Sequence, residues 1–218
     1  MSFGLQEATL IQMKDLKAGL PNYDYVGVGR DDGATKGEFS AIFYKSSEMK
    51  VLQENTFWLS ETPEKVSVGW DAALPRICTY AKFELMASKK QFWHFNTHFD
   101  HMGEIARDES AKLMVSKIKA LMDGVDAVVL SGDFNAEPHE EPILVLNHSF
   151  EDPADRVKPQ GPVGTFSGFQ LDAPLDRRID CIFTKNMEVK TYRHIDTKRA
   201  NGRWISDHLP VFLSFDLN

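Results

Sequence analysis

Two cysteines in 218 residues, Cys78 and Cys181, are too few for a disulfide framework. Both fall in apolar, strand-like runs where a free cysteine behaves as a small core residue, so free thiols are expected. No apolar run approaches the roughly 18 residues that would cross a bilayer, and no membrane span is expected. The chain also lacks repeats, low-complexity tracts and any linker long enough to mark a boundary, so 1–218 reads as one domain of ordinary size. Basic residues are in deficit, 25 against 32 acidic for a net charge of −7, which argues against broad attraction to a nucleic-acid backbone. Met1-Ser2-Phe3 is too short for a targeting peptide. The compartment stays open, cytoplasmic by default with secretion as the alternative, and so does the oligomeric state.

Apolar residues at 42% and charged residues at 26% are globular values. Leu10, Met13, Leu16 and Leu20 recur at helical spacing before Gly19 and Pro21, predicting a helix from Glu7 to Leu20. Phe39–Tyr44, Val51–Leu59, Ile77–Leu85 and Gln91–His98 are rich in aromatic and β-branched residues and read as consecutive antiparallel strands. A second helix is expected from Gly103 to Met122, with Ala111, Met114, Val115, Ile118 and Leu121 on one face. Ala127–Leu130 is a short apolar strand, followed by strands at Ile179–Thr184, Glu188–Tyr192 and Val211–Leu217. The Pro/Gly-rich stretch from Pro159 to Pro174 reads as a surface loop. Strands in runs with helices between them suggest two sheets packed face to face, helices outside.

Polar residues gather where the strands end. Asn96-Thr97-His98 closes one strand, Ser131-Gly132-Asp133-Phe134-Asn135 closes another, Arg178-Ile179-Asp180 opens a third, and Ser206-Asp207-His208-Leu209-Pro210-Val211 precedes the last. Together with Gly4-Leu5-Gln6-Glu7-Ala8, these segments in this order resemble the endonuclease/exonuclease/phosphatase superfamily, the DNase I-like divalent-metal phosphoesterases. The resemblance covers nearly the whole chain. It implies a four-layer α/β sandwich of two mostly antiparallel sheets, with the site at one end between them. Members of that family carry a first strand with an active-site asparagine before the glutamate, and here the domain is expected to be N-terminally shortened by that strand.

The resemblance also implies roles. Glu7 would hold Mg²⁺ or Mn²⁺, since a hard cation takes one or two carboxylates and keeps its other positions for water and substrate; the competing reading is a helix-start glutamate. Asp133 would orient or deprotonate the attacking water and Asn135 would donate to the scissile phosphate, the alternative being that both are turn residues. Asp180 would hold His208 as a charged imidazolium, with Asp207 turned the other way toward the metal. His98 would pair with Glu38, and Arg76 would contact the phosphate by its guanidinium fork, against a surface salt bridge as its rival reading.

Other features carry less. The Gly27-Val28-Gly29-Arg30-Asp31-Asp32-Gly33 run is explained by loop conformation. Trp204, in a loop four residues before His208, could stack on a sugar or base. Asp100, His101 and Arg107 would at most support the residues that touch substrate. The reading is a Mg²⁺- or Mn²⁺-dependent hydrolase of phosphate esters, small molecules favoured over nucleic acid. A nuclease is the alternative within that chemistry, and an inactive fragment or scaffold is the alternative outside it.

Overall fold

The computed structural model describes residues 1–217. Its spine is a five-stranded sheet in the order β4-β5-β6-β7-β8, formed by Met49–Trp58, Ile77–Leu85, Gln91–His98, Ala127–Asp133 and Asp180–Lys185. Neighbours run antiparallel except β6 and β7, which are parallel. A parallel pair needs a long crossover, and helix α2 (Glu104–Leu121) supplies it. Ala111, Met114 and Ile118 of α2 and Ile143 and Leu146 of α3 (Glu141–Asn147) pack on Tyr80, Trp93, Phe95, Val128 and Leu130. The alternate residues of the same strands, Ala81, Phe83, Phe92, Ala127 and Val129, form the opposite face and meet Val26 and Ile42 from a second layer. Both faces are covered, so β6 and β7 are buried almost end to end, and polar residues in them must find partners inside.

The second layer is two sheets. β1 (Ser2–Gly4), β2 (Tyr23–Val26) and β3 (Ile42–Lys45) pair in the order β1-β3-β2, while β9 (Met187–His194) and β10 (Val211–Leu217) form a separate hairpin. Helix α1 (Leu10–Gly19) closes the outside, with Met13 packed on Phe39, Ala41 and Phe43. The layers therefore run α1, the split layer, the five-stranded sheet, then α2 and α3, which is the expected four-layer sandwich. An apolar cavity of about 550 Å³ lies between β1 and β10, each of which pairs on one side only.

Several boundaries differ from the sequence reading. Helix α1 starts at Leu10, because Thr9 is extended and takes the capping position, with a capping box to Gln12; Glu7 lies before it at φ 62°. The strand expected at Phe39–Tyr44 begins at Ile42 and joins β1 and β2, not β4. Strands β1 and β2 and helix α3 were not foreseen, being three, four and seven residues long and too short to show a period. The stretch from 159 to 174 is irregular, yet it is not all surface: Thr165 and Ser167 are buried, Thr165 Oγ1 accepting from the backbone N–H of Ile179 and Asp180. Both cysteines are buried and free.

Candidate active site

Sheet register builds the centre of the site. His98 is opposite Asp133 across β6 and β7, and Asp133 is opposite Asp180 across β7 and β8, so three adjacent strand ends deliver three side chains to one level. His208 arrives from the segment before β10, which is tied down by bonds from Leu209 N–H to Thr165 O (2.6 Å) and Ser167 N–H to Asp207 O (2.7 Å). Phe166 pairs with His208 in a β-bridge and packs its ring edge-on at 5.0 Å.

His208 Nδ1 sits 2.9 Å from Asp180 Oδ2, and Nε2 is 3.9 Å from Asp133 Oδ2. Burial alone would lower the imidazole pKa, but the hydrogen bond and charge of Asp180, helped by Asp133 and Asp207, lift it to about 9. Asp133 is pushed up to about 7, first by burial and then by the Asp180 charge, against the opposing effects of His208 and the Asn135 N–H. His98 Nε2 is 3.4 Å from Asp133 Oδ2. Burial and the nearby Arg76 and Arg30 charges hold His98 well below the ordinary histidine range, so it is a neutral imidazole at neutral pH. Asp133 Oδ2 is thus faced by one neutral and one cationic ring.

Asp133 is the last residue of β7, and Asn135 beyond it has φ 47°, so the alternation of a strand does not extend to Asn135. The turn itself orients it: Asn135 N–H donates to Asp133 Oδ1 at 2.9 Å, and Asn135 Nδ2 donates to Phe99 O at 3.1 Å. One amide hydrogen remains free for a ligand.

The expected pair between His98 and Glu38 is not made. Glu38 instead pairs with Arg30 Nη1 at 2.6 Å, although Glu38, His98, Glu7 and Arg76 all line one cleft. Arg76 is not a surface residue either: it is 4% exposed, with Nε donating to Asp100 Oδ2 at 3.2 Å and Nη2 at 2.9 Å from His101 Nδ1. Asp100, His101 and Arg107, whose Nη1 bonds Asp100 O at 3.1 Å, therefore act through Arg76. Trp204 is buried, donating to Gln170 O at 2.7 Å under the Lys198 ammonium; it pins two loops together and presents no stacking face.

Arg30 was missed by the sequence reading. Its signal was a charged residue inside a glycine-rich loop that also contains its partner, Glu38. The loop is locked by Asp32 Oδ1, which accepts from the N–H groups of Ala34, Thr35 and Lys36. Also missed was Asn96 as the anchor of the Glu7 segment. Its Nδ2 donates to Leu5 O and Ala41 O (2.9 and 3.0 Å) and its Oδ1 accepts from Gln6 Nε2 at 2.6 Å. Gly4 is needed for this approach, since a methyl group there would collide with Asn96 Oδ1.

For a divalent cation, Asp133, Asp180 and His208 offer ligand atoms within 4.8 Å of one another. Both ring nitrogens of His208 already face carboxylates and the ring is cationic at neutral pH, so His208 does not suit a metal and the trio suits proton handling. Glu7 does suit one: its exposed carboxylate makes no hydrogen bond or ion pair among the described residues, lines the cleft, and acts on Asp133 through its charge. Asp207 lies close enough to help raise the His208 pKa, and among the described residues its only side-chain bond is a long one of 3.5 Å from Ser206 Oγ.

Fold and site together define a DNase I-like phosphoesterase architecture. A crystal structure of an endonuclease/exonuclease/phosphatase family protein from Bacteroides thetaiotaomicron is 40% identical, with a TM-score of 0.94, over 100% of this chain and 81% of that one. The chain belongs to the endonuclease/exonuclease/phosphatase family. A mannosyl-6-phosphatase of Bacteroides thetaiotaomicron is 39% identical, with a TM-score of 0.94, over 99% of this chain and 85% of that one. An uncharacterized protein of Acanthamoeba polyphaga mimivirus is 28% identical over 226 residues, 94% of this chain and 80% of that one. No family model matches the chain. Membership, with a phosphatase among the similar solved structures, supports a hydrolase of phosphate esters.

Proposed function

We propose that this chain is a divalent-metal-dependent hydrolase of small phosphate esters, using Mg²⁺ or Mn²⁺. The observation that carries the reading is Asp133 Oδ2 set between neutral His98 at 3.4 Å and cationic His208 at 3.9 Å, with Asp180 fixing His208 at 2.9 Å. A carboxylate lifted to about 7 is a base matched to neutral water chemistry, and Asp133 is assigned to take the proton of the attacking water. His208, charged up to about pH 9, is assigned to offset the negative charge that grows on the phosphoryl oxygens. Asn135 offers them its free amide hydrogen. Glu7 and Asp207 would hold the cation, which when bound polarises the phosphate and neutralises part of its charge.

The similar mannosyl-6-phosphatase supports a small phosphorylated substrate, and so does the net charge of −7, which weakens the case for a nuclease. Hydrolysis of p-nitrophenyl phosphate and bis(p-nitrophenyl) phosphate with Mg²⁺, with chelator, and with His208→Ala tests the reading. Activity lost to both chelator and the substitution is expected. A folded, metal-loaded protein that hydrolyses neither ester would instead identify an inactive scaffold.

A further inference from the structure

Arg30 and Arg76 line the cleft beside His98 together with Glu7, Glu38 and Ser40, and each arginine holds back one shielded donor. Arg76 spends Nε on Asp100 and Nη2 on His101; its Nη1 is buried without a partner among the described residues. Arg30 is the converse. Its Nη1 pairs with Glu38, while Nε is buried without a hydrogen-bond partner among the described residues, Asp31 Oδ1 standing 3.8 Å away, beyond hydrogen-bond range. The two side chains are 11% and 4% exposed. A buried donor left unmade costs the desolvation of that group, and an anionic acceptor with several oxygens would satisfy both once side-chain movement opens the cleft, which as it stands has no room for a water-sized group. Arg30 is also held ready for it, its backbone carbonyl bonded by Trp58 Nε1 at 2.8 Å and its N–H bonded to Glu38 O at 3.1 Å.

The chemistry of the acceptor follows from counting oxygens. A phosphodiester has two non-bridging oxygens and one charge, and the proposed hydrolytic groups already claim these. The terminal phosphoryl group of a monoester has three such oxygens and, at neutral pH, close to two charges. It can therefore meet the hydrolytic groups and still offer oxygen to two guanidinium groups, whose fork geometry suits phosphate.

We propose that Arg30 and Arg76 form a two-arginine seat for the terminal phosphoryl group, that the substrates are phosphomonoesters, and that Arg30 sets the preference over diesters. This rests on the hydrolase reading above. Arg30→Lys keeps a positive charge opposite Glu38 and removes the fork, and Arg30→Gln removes both.

The test measures binding of inorganic phosphate by calorimetry, with and without Mg²⁺, alongside kcat/KM for p-nitrophenyl phosphate and bis(p-nitrophenyl) phosphate. For the unaltered chain, preference for the monoester and at least tenfold tighter binding of phosphate than of dimethyl phosphate are expected. Arg30→Lys should weaken phosphate about ten- to a hundredfold. It should also lower the monoester-to-diester ratio at least tenfold, mainly through KM, at an unchanged melting temperature. Equal binding of phosphate and dimethyl phosphate by the unaltered chain would overturn the proposal even if both variants failed to fold. So would an unchanged ratio and phosphate affinity in folded variants. If the unaltered chain hydrolyses neither ester but binds phosphate through Arg30, the seat stands and the hydrolase reading falls.

Discussion

Replacing Asp133 by Asn should stabilise the protein while abolishing hydrolysis. Burial and the Asp180 charge raise the Asp133 pKa from 3.8 to about 7, so between those values the folded chain binds a proton that the unfolded chain does not. The resulting stability is fully present at low pH and is lost as pH rises through about 7. At pH 8 the ionised carboxylate costs the folded state about 4 kcal/mol, from a shift of about three units at about 1.36 kcal/mol each. Asn keeps an acceptor for the Asn135 N–H but loses the attraction to the His208 imidazolium, so a net gain of about 2–3 kcal/mol is expected. For a chain of this length that raises Tm by roughly 4–12 °C. At pH 5 less than half of the cost remains, and the gain should shrink accordingly. Differential scanning calorimetry of both proteins at pH 5 and pH 8, in chelator, reads this directly. A variant no more stable than the original at pH 8, or a gain independent of pH, would refute the reasoning.

His208→Ala should lower kcat by about 10²–10⁴-fold, as for a positioned acid or base, and should also lower the melting temperature at neutral pH, because an imidazolium whose pKa is raised by Asp180 and Asp133 stabilises the fold below that pKa. The rate should rise with pH through about 7, where Asp133 ionises, and fall through about 9, where His208 loses its proton. In Asp180→Asn the alkaline limb should move to lower pH, because Asp180 is the main group holding that proton; an unmoved limb would remove His208 from the reaction. Asp152→Ala should cost about 3–5 kcal/mol in urea unfolding, since it strands the buried Arg178 guanidinium that now meets both Asp152 oxygens at 3.2 and 2.7 Å. Gly4→Ala should weaken metal binding measured by calorimetry, by displacing Asn96 from the strand that leads to Glu7.

Asp133, Asp180, His98 and His208 could be named because they stand in strand-end motifs whose order resembles the family's; the register brings the first three to one level, and the segment before β10 adds His208. What could not be read depends on contacts between segments distant in the chain. Glu38 has Arg30 eight residues before it and His98 sixty after it, and spacing alone cannot say which the carboxylate meets; the loop fixed by Asp32 decides for Arg30. Trp204 looked available because it lies in a loop four residues before His208, but Gln170 and Lys198 cover it from elements that local pattern does not connect to it. Of the second layer, β3, β9 and β10 were legible as strands, whereas β1, β2 and the division into two sheets were not, since pairing of β1 with β3 across about forty residues leaves no periodic trace.

The slot between β1 and β10 has a mechanical consequence. Glu7 and Arg30 ride on the β1-β3-β2 sheet, whereas His208 rides on the β9-β10 hairpin, and among the described residues no backbone ladder joins the two. Each is fastened separately to the central sheet, the first through Asn96 and His94 (Ser2 Oγ to His94 Nδ1, 3.1 Å) and the second through Asp180. The two sides of the site are therefore held relative to each other by side-chain contacts and packing on the central sheet, and their spacing depends on the Asn96, His94 and Asp180 anchors.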